Sequence, residues 1–147
     1  MKYDDASWHY GGDYPEGLPE ENGGIHIALF LRWCFTKGWA SDHHKDEEPE
    51  ETQKVADGRV SATEYFFKYC DGKLTNEDFN EEGNKFAEEY YGENGLFLED
   101  YANKFDKLMY VAPENTIDFE IFSSMLNERQ QSGVLTKNQN KPLWKLW

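Results

Sequence analysis

The chain has 147 residues, the size of one domain, and 16% of them are aromatic, with 10 Phe, 9 Tyr and 5 Trp. So many rings exclude a wholly disordered chain, because a compact fold is what buries them. Twenty-nine Asp and Glu against 15 Lys and Arg leave a formal net charge of −14, which repels phosphate backbones and anionic headgroups, argues against nucleic acid and membrane surfaces as partners, and suits a cationic one.

Residues 1–24 are rich in Gly, Pro, Asp and Tyr, and the pairs Gly11-Gly12 and Gly23-Gly24 with Pro15 and Pro19 forbid a long helix. Tyr3, Trp8, Tyr10 and Tyr14 are too aromatic for a loose tail, so the segment reads as an ordered, irregular arm anchored by its rings, with a short turn near Asp5 to Trp8. No apolar h-region follows Met1, so a secretory signal is not expected there, and a cytoplasmic, reduced protein is.

Residues 25–39 are apolar on nearly every face from Ile25 to Phe35, the pattern of a central helix, with Gly38 as its stop. The run is broken by Arg32 and too short to span a bilayer. Residues 40–60 carry Asp42, Asp46, Glu47, Glu48, Glu50 and Glu51 around Pro49, and read as an acidic surface loop without regular structure.

Ser61 to Glu64 is a capping-box pattern for a helix with Tyr65, Phe66, Tyr69 and Cys70 on one stripe. Thr75 or Asn76 opens the next helix, with Phe79, Gly83, Phe86 and Tyr90 on its apolar face. Leu98, Tyr101, Phe105 and Leu108 mark another, broken by Pro113, and the last runs from about Asn115 to Ser132 with Ile117, Ile121, Phe122, Met125 and Leu126 inward. Residues 134–147 are basic and aromatic, with Lys137, Lys141, Lys145, Leu143, Trp144 and Trp147, and are expected to dock on the acidic body. The fold class is therefore mainly α, a single domain of about five helices with short strands not excluded.

Motifs of catalysis are missing from the sequence: no G-x-S-x-G, Walker A or G-x-G-x-x-G string, and neither Cys34 nor Cys70 in a nucleophile context. The two cysteines read as small buried hydrophobes. His43 and His44 with Asp42 and Asp46 are metal-ligand types, but adjacent helical positions share no face and the H-x-x-x-H spacing is absent. No catalytic residue, metal or cofactor is expected, and the oligomeric state is left open.

Two constellations remain. On one helix from Thr75 onward, Glu77, Glu81 and Glu88 stack on a stripe opposite the apolar face, a ridge suited to a basic protein patch or equally to simple solvation. Asp46, Glu47 and Glu48 of the acidic loop are the second such group. In the arm, Asp4, Asp5, His9, Asp13 and His26 would serve a small-ligand site or an enzyme if they met in one pocket, or else would only pack.

The stretch from Tyr3 to Pro15, with Asp4-Asp5-Ala6-Ser7-Trp8-His9-Tyr10-Gly11-Gly12-Asp13, followed by Gly24-Ile25-His26-Ile27 and Phe30-Leu31-Arg32-Trp33, resembles a family of small bacterial proteins found among toxin–immunity and secretion loci. The resemblance covers about the first quarter of the chain. It implies an immunity-type role, neutralising a basic toxin by occluding its active site, and brings no catalytic residues with it. Charge complementarity would speed that association.

Overall fold

A computed structural model describes residues 1–9, 19–105 and 114–138. Among these the chain is mainly helical: seven α-helices and one two-stranded sheet. The core forms around α1 (Ile25–Thr36), whose apolar residues bury ten of its twelve positions, His26 included. Such all-round burial makes α1 the axis on which α3 (Pro49–Asp57), α4 (Ala62–Tyr69) and α7 (Phe119–Ser132) pack. Phe30 lies at its centre, with Phe79, Phe86, Tyr91 and Phe97 at ring-centroid separations of 5.0–6.3 Å, a range in which aromatic pairs add to simple area burial.

Capping side chains fix where helices begin. Ser61 Oγ accepts the Glu64 amide to open α4, Asn80 Oδ1 that of Gly83 to open α5 (Glu81–Tyr90), and Asp118 Oδ1 that of Glu120 to open α7. Gly83, in the first turn of α5, packs against the segment that follows α1, and a Cβ there would lie 2.9 Å from the Cβ atoms of both Phe79 and Trp39. Only glycine lets these segments approach so closely.

The 40–60 segment corrects the expectation of an unstructured loop. It forms α2 (Asp42–Glu47) and α3, started by the Ser41 hydroxyl and by Pro49 in the first turn, and closed by Gly58 at φ +77°. His44, Thr52 and Val55 point inward, a buried stripe too thin and too polar to show as an amphipathic pattern.

The arm is also more regular than expected. Lys2–Asp5 form β1, antiparallel to β2 (Lys73–Thr75), and Ala6–Trp8 a 3-10 turn capped by Asp5. The register shifts between Lys2 and Asp4, and this irregularity breaks the usual alternation, so that Tyr3, Asp4 and Asp5 are all buried in succession. Tyr3 is the ring that anchors the arm; Trp8, expected to do so, is 59% exposed. Tyr10, Asp13 and Tyr14 lie outside the described residues.

The helix expected from Thr75 is divided. Residues Asn76–Asp78 form a 3-10 turn, Phe79 is extended, and α5 starts at Glu81. In α6 (Phe97–Phe105) Tyr101 and Phe105 are buried but Leu98 is exposed, as is Ile121 in α7. Leu135 is buried, and the described part of the last segment, 134–138, docks by backbone: the Leu96 amide donates to Leu135 O and the Lys137 amide to Asn94 O. Lys141, Leu143, Trp144, Lys145 and Trp147 fall outside the described residues. Cys34 is buried and Cys70 half-buried, both as free thiols. No helix among the described residues is long and apolar enough to cross a membrane.

Candidate functional site

Three of the five arm residues meet. The β1 irregularity turns Asp4 inward, the 3-10 turn brings His9 back over it, and the first turn of α1 supplies His26. His9 Nε2 lies 2.7 Å from Asp4 Oδ1, and His26 Nε2 lies 3.4 Å from Asp4 Oδ2. The two imidazoles pack edge to face at 4.4 Å, with Phe97 and Tyr101 along the His26 ring.

Asp4 is held from further sides. Its Oδ1 accepts the Asp5 amide at 2.8 Å, and the Tyr91 hydroxyl donates to Oδ2. Burial alone would raise its pKa, but the contacts from His26 and His9 outweigh that and keep the carboxyl well below the usual range. For His26 burial wins, and its pKa falls below the ordinary 6.5 despite Asp4. The stable state is thus an ionised carboxylate facing neutral imidazole at His26.

Asp5 does not join this group. It accepts from the Ser7 amide and hydroxyl and pairs with Lys2 at 2.9 Å, closing the 3-10 turn. Asp13 lies outside the described residues. Tyr91 is the member that sequence reasoning missed: it sits 87 positions from Asp4 and reads as one more aromatic beside Tyr90.

Asp4 and His9 line a cleft of about 590 Å³ between the arm and the end of α5, walled by Trp8, Tyr91 and Leu98 and rimmed by Glu88 and Glu93. A larger cavity, about 860 Å³, lies beside α4, but its Glu114 carboxylate is already engaged, accepting the Ala62 and Thr63 amides at the helix start.

A second histidine–aspartate network joins α2 to α4 and the 76–78 turn. His44 Nε2 lies 2.8 Å from Asp78 Oδ1, its Nδ1 lies 2.6 Å from the Tyr65 hydroxyl, and that hydroxyl is 3.0 Å from Thr52 Oγ1. Cys70 Sγ is 3.9 Å from His44 Nε2, and burial pushes its thiol pKa up, away from nucleophilic use. His43 is exposed while His44 is buried, so the adjacent pair shares no site.

The acids singled out from the sequence are placed as follows. Glu81 and Glu88 share one face of α5, since seven positions make about two turns. Glu77 belongs to the preceding 3-10 turn, not to that helix. Asp46 and Glu47 lie on α2 and Glu48 just after it. All are exposed except Glu48, which is half-buried.

Residues 2–112 match the domain of unknown function DUF7832, and the chain belongs to that family. No curated protein and no solved structure matches it.

Proposed function

We propose that this member of the DUF7832 family is a binding protein that meets a basic protein partner with its acidic exterior, in the manner of an immunity protein occluding a toxin's active site. One observation carries the reading. Glu77, Glu81, Glu88, Asp46 and Glu47 are exposed, and among the described residues neither they nor Glu48 form a salt bridge with any basic side chain.

The acids that stabilise the fold are a different set. Asp4, Asp5, Asp78 and Asp100 are engaged by His, Lys or Arg, the last through a two-bonded contact with Arg129 at 2.7 and 2.9 Å. Glu77, Glu81, Glu88, Asp46 and Glu47 form no such ion pair among the described residues. Their summed field would steer a cationic partner, raising association rates by roughly 10- to 1,000-fold with a steep dependence on salt. Glu88 places that field at the mouth of the cleft.

The test is capture, on the immobilised full-length chain, of the purified products of reading frames adjacent to its gene. One of them is expected to bind at low salt and to elute as salt rises. If none binds at low salt, or if binding ignores both salt and the combined substitution Glu77→Gln, Glu81→Gln and Glu88→Gln, the reading is wrong.

A further inference from the structure

We infer that Asp4, His9 and His26 form a binding site for one divalent transition-metal ion of the zinc class, with a coordination position open to the cleft. This departs from the expectation of no metal, and it stands independently of the acidic exterior.

The donor set is the first ground. Two imidazole nitrogens and one carboxylate oxygen, from β1, the end of the 3-10 turn and α1, all lie within 4.8 Å of one another. Zinc binds such donors at about 2.0–2.2 Å, so ligands in a tetrahedral shell stand about 3.3–3.5 Å apart. The His26 Nε2 to Asp4 Oδ2 separation, 3.4 Å, already has that value; His9 Nε2 lies 2.7 Å from the other oxygen, Oδ1, and that contact would lengthen by roughly 0.6–0.8 Å to match. Both rings present the same nitrogen, Nε2, to the carboxylate. Facing a carboxylate, which only accepts, His9 Nε2 carries a proton, and an ion entering there takes its place as the proton leaves to solvent.

The surroundings are the second ground. Metal-binding carboxylates are held by outer hydrogen bonds, and Asp4 has two, from the Asp5 amide and the Tyr91 hydroxyl. The ring of His26 packs against Phe97 and Tyr101. Three protein donors with an accessible fourth position is the pattern of a zinc site that takes water or an outside ligand, and the cleft supplies the access.

The group His44, Cys70 and Asp78 also gathers ligand types. None of the three lines the cleft, however, so no coordination position there opens to an outside ligand. It serves as the internal control.

The full-length chain, stripped with a chelator, is titrated with Zn²⁺ and with Co²⁺, following the visible spectrum of Co²⁺ and the ring ¹⁵N resonances of the histidines. One ion per chain is expected, shifting His9 and His26 and leaving His44 unmoved. Tyr91→Phe, which removes an outer partner, should weaken binding about 10- to 100-fold, and His9→Gln by more. His9 lies at the half-exposed end of the 3-10 turn, so that variant keeps the fold, checked by its circular dichroism. Cys70→Ser should bind as wild type does. No stoichiometric binding, binding that survives His9→Gln, or binding lost in Cys70→Ser instead, overturns the inference.

Discussion

Asp4 and Glu88 line the same cleft and are otherwise opposites. Asp4 is 2% exposed and gripped by two imidazoles, a phenol and a backbone amide. Glu88 is exposed on α5 and, among the described residues, in no salt bridge. The difference teaches that a charge of −14 is not one property. A minority of the acids are structural, tied to partners in places where an unpaired charge would be intolerable. The rest remain in water, where each contributes little to stability and all add to a long-range field.

The sharpest way to break this division is to remove a gripped acid. Asp4→Ala leaves Tyr91 and two imidazoles facing an empty place, and should cost about 3–5 kcal/mol in a denaturant titration. Asp78→Asn, in the sealed network with His44, should cost about 2–3 kcal/mol, since a charged hydrogen bond is weakened while the Thr75 amide can still be capped. If either change were neutral, the buried acids would not be the structural class described.

The pH dependence of stability sharpens the same comparison. His26 has a folded pKa below its unfolded 6.5, so the unfolded chain binds the extra proton first and stability falls as pH drops below about 6.5. Asp4 has a folded pKa below its unfolded 3.8, so its contribution is intact above that value and is lost as pH falls further. Melting temperature should therefore decline in two stages on acidification. At the small end, neutralising Glu77, Glu81 and Glu88 together should leave stability within about 0.5 kcal/mol of wild type. A loss of several kcal/mol would mean that these acids have internal partners after all.

Much of the helical frame was legible, and for physical reasons. The five expected helices carry apolar residues at helical spacing, and Ser61, Gly38 and Gly133 mark ends where expected, through a side-chain cap and left-handed glycines, whereas the starts expected at Thr75 or Asn76 and near Asn115 fall at Asn80 and Asp118. Helices α2 and α3 were hidden because six acids mask an inward stripe of only His44, Thr52 and Val55; Ser41, Pro49 and Gly58 were the signals available. β1 was hidden because its partner, β2, is remote in sequence and its own four residues carry little strand preference.

The site was half legible. Asp4, His9 and His26 stood out by type, but nothing local separates Asp4 from its neighbour Asp5, which turns to Lys2 and Ser7 instead. That choice is made by the strand register, and the contribution of Tyr91 exists only once α5 has folded against the arm. Likewise His44 and Asp78 carry no mark of their pairing until α2 and the 76–78 turn come together.

The most direct measurement is the association rate between this chain and the products of its neighbouring reading frames, taken across ionic strength for wild type and for the Glu77→Gln, Glu81→Gln, Glu88→Gln variant. A partner that binds wild type about tenfold or more faster at low salt than at high, with the slope flattened in the variant, is the predicted result. Two superimposable, salt-insensitive profiles, or no association with any of them, would contradict it.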